Sequence, residues 1–221
     1  EIDKSKHLKL RIDELLGRMS LAEKIGQLNH PNIGGADSTG AGTASADLER
    51  RIRHGEVGSL AAGAPLPRLA ELQRIAVEHS PHGIPLFLTL DVIHGHRTIF
   101  PLPVALAGAF DTDLVGRTAR AAAIEGAASG VMLAWAPMLD VSRDARWGRC
   151  AESPGEDPFV GAAFAQAMID GYQQDNLTRA DTMMACAKHF AGYGFAEAGR
   201  DYNAVDASAY RMHNVVLPPF K

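Results

Sequence analysis

Four short stretches hold most of the side chains able to do chemistry in this sequence. They are Leu90-Asp91-Val92-Ile93-His94-Gly95-His96-Arg97, the charged segment from Asp140 to Asp157, Lys188-His189-Phe190, and Gly199-Arg200-Asp201-Tyr202-Asn203. Asp91 closes an apolar run, where a carboxylate is costly to bury unless it is paired or hydrogen-bonded. Two roles fit it: capping the next turn, or facing a pocket where its oxygens accept two hydroxyl protons at once. Lys188 and His189 are neighbours at the end of another apolar run. On a regular strand they face opposite sides, so only a bend or bulge turns both into one pocket. Otherwise the lysine reaches solvent and the histidine is a core residue satisfied by a carbonyl. A lysine buried without a partner loses its charge.

The segment Asp140 to Asp157 alternates arginines with carboxylates around Trp147. Such a run is either a solvated loop or one stiffened by Arg–carboxylate pairs. Arg149 is the member suited to face a ligand. Arg143, Asp144, Arg146, Glu152, Glu156 and Asp157 suit a scaffold. His94 and His96 form an H-x-H, a metal-ligand spacing in which neutral imidazoles hold a divalent ion. His189 and Asp140 are the only obvious further ligands, and a metal-dependent barrel hydrolase is the reading that would use them. Cys150 and Cys186 lack CxxC spacing and read as reduced, small hydrophobes.

The elements that must position these residues alternate. Ile12, Leu15, Leu16 and Met19 recur at helical spacing, and Ser20 with Glu23 has capping-box spacing. These predict two short helices, or one kinked helix, over about 7–29. Pro31 to Asp47, rich in Gly, Ser, Thr and Ala, reads as a loop. Strands are predicted at Val57–Ala62, Ile84–Val92, Val131–Val141 and Met183–Phe190. Helices are predicted at Arg68–His79, from Asp111 to about Ser129 with Gly130 as its stop, from Asp157-Pro158 onward, and from Ser208 onward. Val160, Phe164, Ala167 and Met168 mark the inward face of the third of these. Apolar strands alternating with helices imply a parallel sheet buried on both sides. No Gly-rich dinucleotide fingerprint follows an early strand. Polar residues gather past the strand ends instead, as on the active-site face of an α/β TIM-like (β/α)8 barrel. The expected organisation is N-terminal helices and a Gly-rich loop over 1–56, then the first β/α units over 57–221.

The 221 residues carry 22 Lys or Arg against 26 Asp or Glu, with 46% apolar and 22% charged residues. That is ordinary globular composition. The slightly acidic balance argues against a nucleic-acid partner, and no apolar run approaches the ~20 residues of a membrane span. The chain opens at Glu1 without a Met, and its opening residues do not read as a signal peptide.

At the level of whole motifs the sequence resembles glycoside hydrolase family 3, the β-glucosidase and exo-glucosidase family. RIDELLGRMSLAEKIGQL is similar to the family's first helices. LDVIHGHRTIFPLPVALAGAFDTDLV is similar to its second-strand motif and the following helix. APMLDVSRDARWGRCAESPGEDPFVGA, CAKHFAGYG and GRDYNAVDAS match in the same order. The resemblance implies a retaining hydrolase that releases a terminal, non-reducing β-linked glucose or similar sugar, with no cofactor. It implies that Asp91 accepts the sugar's O4 and O6 hydroxyls and that Arg97 supports that carboxylate. It implies that Arg149, Lys188 and His189 bond the hydroxyls at C2, C3 and C4, and that Arg200 orients the nucleophile's surroundings.

The resemblance also implies what the chain lacks. The family's nucleophile is an Asp in a Ser-Asp-Trp context, and that tripeptide is absent here. Its acid/base is usually a Glu in a following α/β domain. The N-acetylglucosaminidase branch carries Gly-His-Gly-Asp after Lys-His-Phe, where this chain has Ala191-Gly192-Tyr193-Gly194. The expectation is therefore an incomplete barrel that binds sugar, has the rest of the barrel and the α/β domain as partners, and is inactive alone. A non-catalytic sugar-binding fragment is the alternative from another class. Periplasmic or secreted location is implied by the resemblance only.

Overall fold

Short apolar runs make the strands of this protein, and amphipathic segments between them make its helices. The computed structural model describes residues 4–33 and 45–221. The chain divides into two compact units, Glu1–Thr89 and Leu90–Lys221.

In the first unit, α1 (Lys4–Arg18) and α2 (Leu21–Gly26) are separate helices. Ser20 ends one and starts the other: its hydroxyl accepts from the Glu23 N–H at 3.2 Å, and the Glu23 carboxylate accepts from the Ser20 N–H at 2.7 Å. α3 (Ser45–Arg53) follows, then β1 (Ser59–Ala61), α4 (Leu66–His79) and β2 (Phe87–Leu90). The strands β1 and β2 pair in parallel, Leu60 opposite Leu88. α4 turns Leu69, Leu72, Ile75 and Ala76 inward, at the i, i+3, i+6, i+7 spacing of one helical face.

Two expectations change here. The loop expected over 31–47 is partly ordered structure: Asn32 bridges Ala61 in parallel, and the carbonyls of Asn29 and Pro31 accept from Ser59 and Ala61. The chain thus lies along β1 before residue 56. At the other end α3 begins at Ser45. Residues 34–44 of that expected loop lie outside the described residues.

The Glu23 carboxylate is held low, to about 2 against 4.5, by the Ser20 N–H and hydroxyl and by His82 at 3.3 Å. A depressed folded-state pKa contributes stability above the unfolded value and loses it as pH falls through the folded one. Glu23→Gln is expected to flatten the fall of the unfolding midpoint between pH 4.5 and about 2, followed by thermal melts across that range.

In the second unit come α5 (Pro103–Ala107), α6 (Thr112–Ala128), β3 (Leu133–Ala134), α7 (Pro158–Gln173), β4 (Met184–Ala185) and α8 (Ala209–Arg211). The expected caps are in place. Asp111 accepts from the Leu114 N–H at 2.9 Å, and Asp157 from those of Phe159 and Val160 at 2.7 and 3.1 Å, with Pro158 at the first helical position. β3 and β4 pair in parallel, Leu133 opposite Met184. Both are shorter than the apolar runs implied. Pairing continues beyond them as single bonds, from Cys186 N–H to Ala136, Lys188 N–H to Pro137 and Leu139 N–H to Lys188.

The inward face of α7 is Gly161, Phe164, Ala165, Met168, Gly171 and Tyr172; the expected Phe164 and Met168 lie on it, while Val160 and Ala167 are half-buried at its edge. Gly171 marks the close crossing with α6. A Cβ on Gly171 would stand 2.6 Å from Ala119 Cβ and from the Gly116 carbonyl. Gly171→Ala is therefore expected to destabilise by about 1–3 kcal/mol, read by urea unfolding. The helix expected from Ser208 is capped by that serine, widens to a π turn over Met212–Val216, and ends at Pro218. Among the described residues no helix is long and apolar enough to cross a membrane.

Candidate functional site

The strand ends of the second unit gather a polar cluster. The last bonds between the two strands involve Leu139 and Lys188. That register sets Asp140 and His189, each one residue further on, side by side. Asp140 is 3% exposed. Its Oδ2 accepts from the His189 backbone N–H at 3.0 Å and lies 2.7 Å from His189 Nδ1. Lys188 reaches the other way, its Nζ donating to Asp91 Oδ1 at 2.6 Å. The lysine side chain is 11% exposed and the aspartate 64%. Both neighbours thus meet carboxylates, and the peptide bond between them is cis.

Arg149 completes the group. Its Nε and Nη2 donate to the two oxygens of Glu152 at 2.8 and 2.7 Å, a bidentate pair. Burial pushes the Glu152 carboxyl up, but Arg149 outweighs it and the net direction is down. The same pairing raises the Arg149 guanidinium, so it is charged at any working pH. The remaining Nη1 points at His189 Nε2 at 3.4 Å. The Arg149 charge also sits 5.5 Å from the centre of the Tyr193 ring, which meets His189 edge-on at 4.9 Å.

Beneath these lies Trp147, 1% exposed, edge-on to Tyr193 at 5.1 Å, with its indole N–H donating to Asp201 at 2.9 Å. The Tyr193 hydroxyl is buried beside Asp201 and Arg149, and burial raises its pKa. The tryptophan and tyrosine N–H and O–H groups hold Asp201 below the usual carboxylate range. The backbone follows the same plan. Ser153 Oγ donates to the Asp140 carbonyl at 2.7 Å, pinning the charged loop to the strand end. Gly194 packs on the Val141 carbonyl and Trp147, leaving no room for a Cβ.

Of the residues singled out from the sequence, Asp91 and Lys188 come together, as do Arg149 and His189. No hydrogen bond or ion pair joins Arg97 to Asp91. Arg97 is exposed, and it is the loop's main chain that is held: Glu125 accepts from the Arg97 and Thr98 N–H groups, both at 2.8 Å, and from the Thr98 hydroxyl at 2.6 Å. Arg200 is exposed and its backbone N–H turns back to Glu197. His94 faces the Phe100 carbonyl at 3.1 Å and His96 faces Ser129 Oγ at 2.9 Å. Among the described residues no three His, Cys, Asp or Glu side chains are grouped to hold a metal. From the sequence Asp140 reads only as a candidate metal ligand, and Tyr193 carries no role. The signal for the first was a carboxylate ending an apolar strand; for the second, an aromatic ring between two glycines.

The comparison with protein families decides what this arrangement belongs to. The family model described as the glycosyl hydrolase family 3 N terminal domain matches residues 20–221. The chain belongs to glycosyl hydrolase family 3. Family 3 relatives include a periplasmic β-glucosidase of Salmonella typhimurium, 37% identical over 95% of this chain and 27% of its own length. A putative β-xylosidase of Formosa agariphila is 30% identical over 96% of this chain and 30% of its own. The crystal structure of a β-glucosidase from Listeria innocua in complex with glucose superposes with a TM-score of 0.83 at 36% identity, covering 95% of this chain and 30% of that one. The chain thus spans under a third of the length of these family 3 relatives. Its fold is the opening part of a TIM-like (β/α)8 barrel, about four β/α units preceded by N-terminal helices.

Proposed function

We propose that this chain supplies the sugar-binding part of a retaining β-glucosidase that releases terminal, non-reducing β-D-glucose. The observation that carries the reading is the strand-end cluster of Asp91 with Lys188 and of Arg149 with His189. A neutral polyol is recognised by directional donors and acceptors in a partly dry pocket, and charged partners strengthen each bond. Asp91 accepts two hydroxyl protons, the O4 and O6 pair, while Lys188, Arg149 and His189 serve the hydroxyls at C2, C3 and C4. Bonds to the 2-hydroxyl that tighten in the oxocarbenium-like state lower the barrier. Arg97 and Arg200 act from the rim, in the loop after Asp91 and beside Asp201. Residues 57–221 form the barrel units and 1–56 lead into them.

The reaction is a double displacement. An Asp attacks C1 while a carboxylic acid about 5 Å away protonates the leaving oxygen, and water then hydrolyses the glucosyl-enzyme with that group acting as base. Neither carboxylate is assigned to this chain. Asp140 and Glu152 are tied to His189 and Arg149, and no Ser-Asp-Trp is present. Nucleophile and acid/base belong to the rest of the barrel and to a following α/β domain. No cofactor enters the scheme, and no nucleic acid or membrane is a partner. A periplasmic location is supported by the name of the Salmonella relative.

The test is turnover of an aryl β-D-glucoside by the gene's full-length product, with proton NMR of the released sugar. Glucose is expected to appear first as the β anomer, while the 221 residues alone turn nothing over. Absence of β-glucoside and β-xyloside hydrolysis by the full-length product overturns the reading. A β-xylosidase is the second reading, favoured by the Formosa relative; a higher kcat/KM for the xyloside selects it. Glucose binding to the 221 residues by calorimetry, combined with an inactive full-length product, selects a non-catalytic sugar-binding protein.

A further inference from the structure

Asp140 is the most deeply buried carboxylate of the cluster, and neither substrate binding nor the reaction scheme uses it. One oxygen, Oδ2, accepts from the His189 backbone N–H at 3.0 Å and lies 2.7 Å from His189 Nδ1. The other, Oδ1, is buried with no hydrogen-bond partner. A carboxylate kept in that state at a strand end is spent on the histidine alone.

We propose that Asp140 is a positioning residue that fixes His189 as the Nδ1–H tautomer, so that Nε2 meets the sugar as a hydrogen-bond acceptor. The inference rests on the sugar-binding reading of the site. Two contacts lead to it independently. An ionised carboxylate only accepts, so the imidazole nitrogen facing it carries the hydrogen. A guanidinium only donates, so the nitrogen facing Arg149 Nη1 presents its lone pair. Both ends of the ring therefore give the same answer. At 3.4 Å the Arg149 contact is long, leaving the Nε2 lone pair open to a better donor. A sugar hydroxyl that donates to Nε2 can in turn accept from the neighbouring guanidinium Nη1, so one hydroxyl is held by both residues with its hydrogen directed at the ring. The backbone N–H bond to the same Oδ2 sets the height of the ring over Tyr193 as well as its tautomer.

The experiment uses the full-length product with Asp140→Asn, Asp140→Ala, His189→Ala and the double Asp140→Asn/His189→Ala. It is read by steady-state kinetics and by NMR of 15N-labelled histidine, with the His189 signals identified by their loss in His189→Ala. In the unaltered protein Nδ1 is expected to show the protonated signature and Nε2 the lone-pair signature. Asp140→Ala is expected to release the ring toward the other tautomer and to lower kcat/KM about ten- to a hundredfold, whereas Asp140→Asn, whose amide oxygen can take the place of Oδ2 against the backbone N–H, keeps the Nδ1–H form with a smaller loss. The double variant is expected to lose no more than His189→Ala, because Asp140 acts through that ring. Losses that multiply in the double variant, or an Nε2–H ring in the unaltered protein, overturn the proposal. If Asp140→Ala fails to fold, Asp140→Asn and the unaltered spectrum still decide. An inactive unaltered protein overturns the glycosidase reading, while the tautomer signature still tests Asp140 by itself.

Discussion

Asp91→Ala in the full-length product is expected to lower kcat/KM for an aryl β-glucoside by about 10²- to 10⁴-fold. Each hydrogen bond to a charged group is worth about 1.5–3 kcal/mol when its partner is removed. Asp91 accepts two in the proposed complex, and about 1.4 kcal/mol is a factor of ten. The loss falls on activity rather than stability. The Asp91 side chain is 64% exposed, so its 2.6 Å pair with Lys188 is well screened on one side and contributes little to folding. What the variant disturbs besides the sugar is Lys188, 11% exposed and left without its carboxylate. Asp91→Asn keeps the shape and loses the charge, and an intermediate loss is expected. Steady-state kinetics beside a thermal melt separates the two effects: a melt within a few degrees of the parent with activity nearly gone supports the assignment, and activity within tenfold of the parent removes it.

The largest stability effect is expected at Trp147. The ring is 1% exposed, meets Tyr193 edge-on at 5.1 Å and donates its N–H to Asp201. Trp147→Ala removes that burial and leaves a cavity, a change that costs about 3–5 kcal/mol. The damage does not stay in the core. Tyr193 lies between Trp147 and the His189–Arg149 pair, so the rings that frame the two sugar contacts lose their floor. Trp147→Phe keeps most of the burial but strips Asp201 of a donor, and about 1–2 kcal/mol is expected. Denaturant unfolding followed by circular dichroism reads both. A Trp147→Ala protein within 1 kcal/mol of the parent would show that the cluster closes over the missing ring.

Much of the architecture was legible because its signals are local. The Ser20–Glu23 box, the Asp111 and Asp157 caps and Pro158 at the first position of α7 each depend on residues within one turn, and each stands in the structure. The strands were legible as apolar runs but not in length, since length depends on which backbone groups find partners across the sheet. Of the expected α7 face, Phe164 and Met168 were legible as apolar residues, whereas Gly171, small rather than apolar, is the position where α6 approaches. The α3 helix was hidden by its neighbours: its first residues continue a Gly- and Ser-rich run.

The site divides along the same line. Asp91, Arg149, Lys188 and His189 announce themselves by type and place. Their pairing does not, because Lys188 and Asp91 are 97 residues apart and His189 and Asp140 are 49 apart. Register between strands, not spacing along the chain, brings them together. Arg97 and Arg200 carry the right chemistry in the right motifs, yet their local order comes from main-chain bonds that their side chains take no part in.

The Glu125 clip has a bearing on how this loop can be altered. Because it grips the amides of residues 97 and 98 and a single hydroxyl, any residue with an amide hydrogen at position 97 keeps the loop's path, and proline alone there breaks it. Side-chain identity at 97 is thereby free to vary without a change of shape, whereas position 125 is not. An engineer seeking altered preference at this rim can therefore screen every non-proline substitution at 97 on an unchanged loop, and leave 125 untouched.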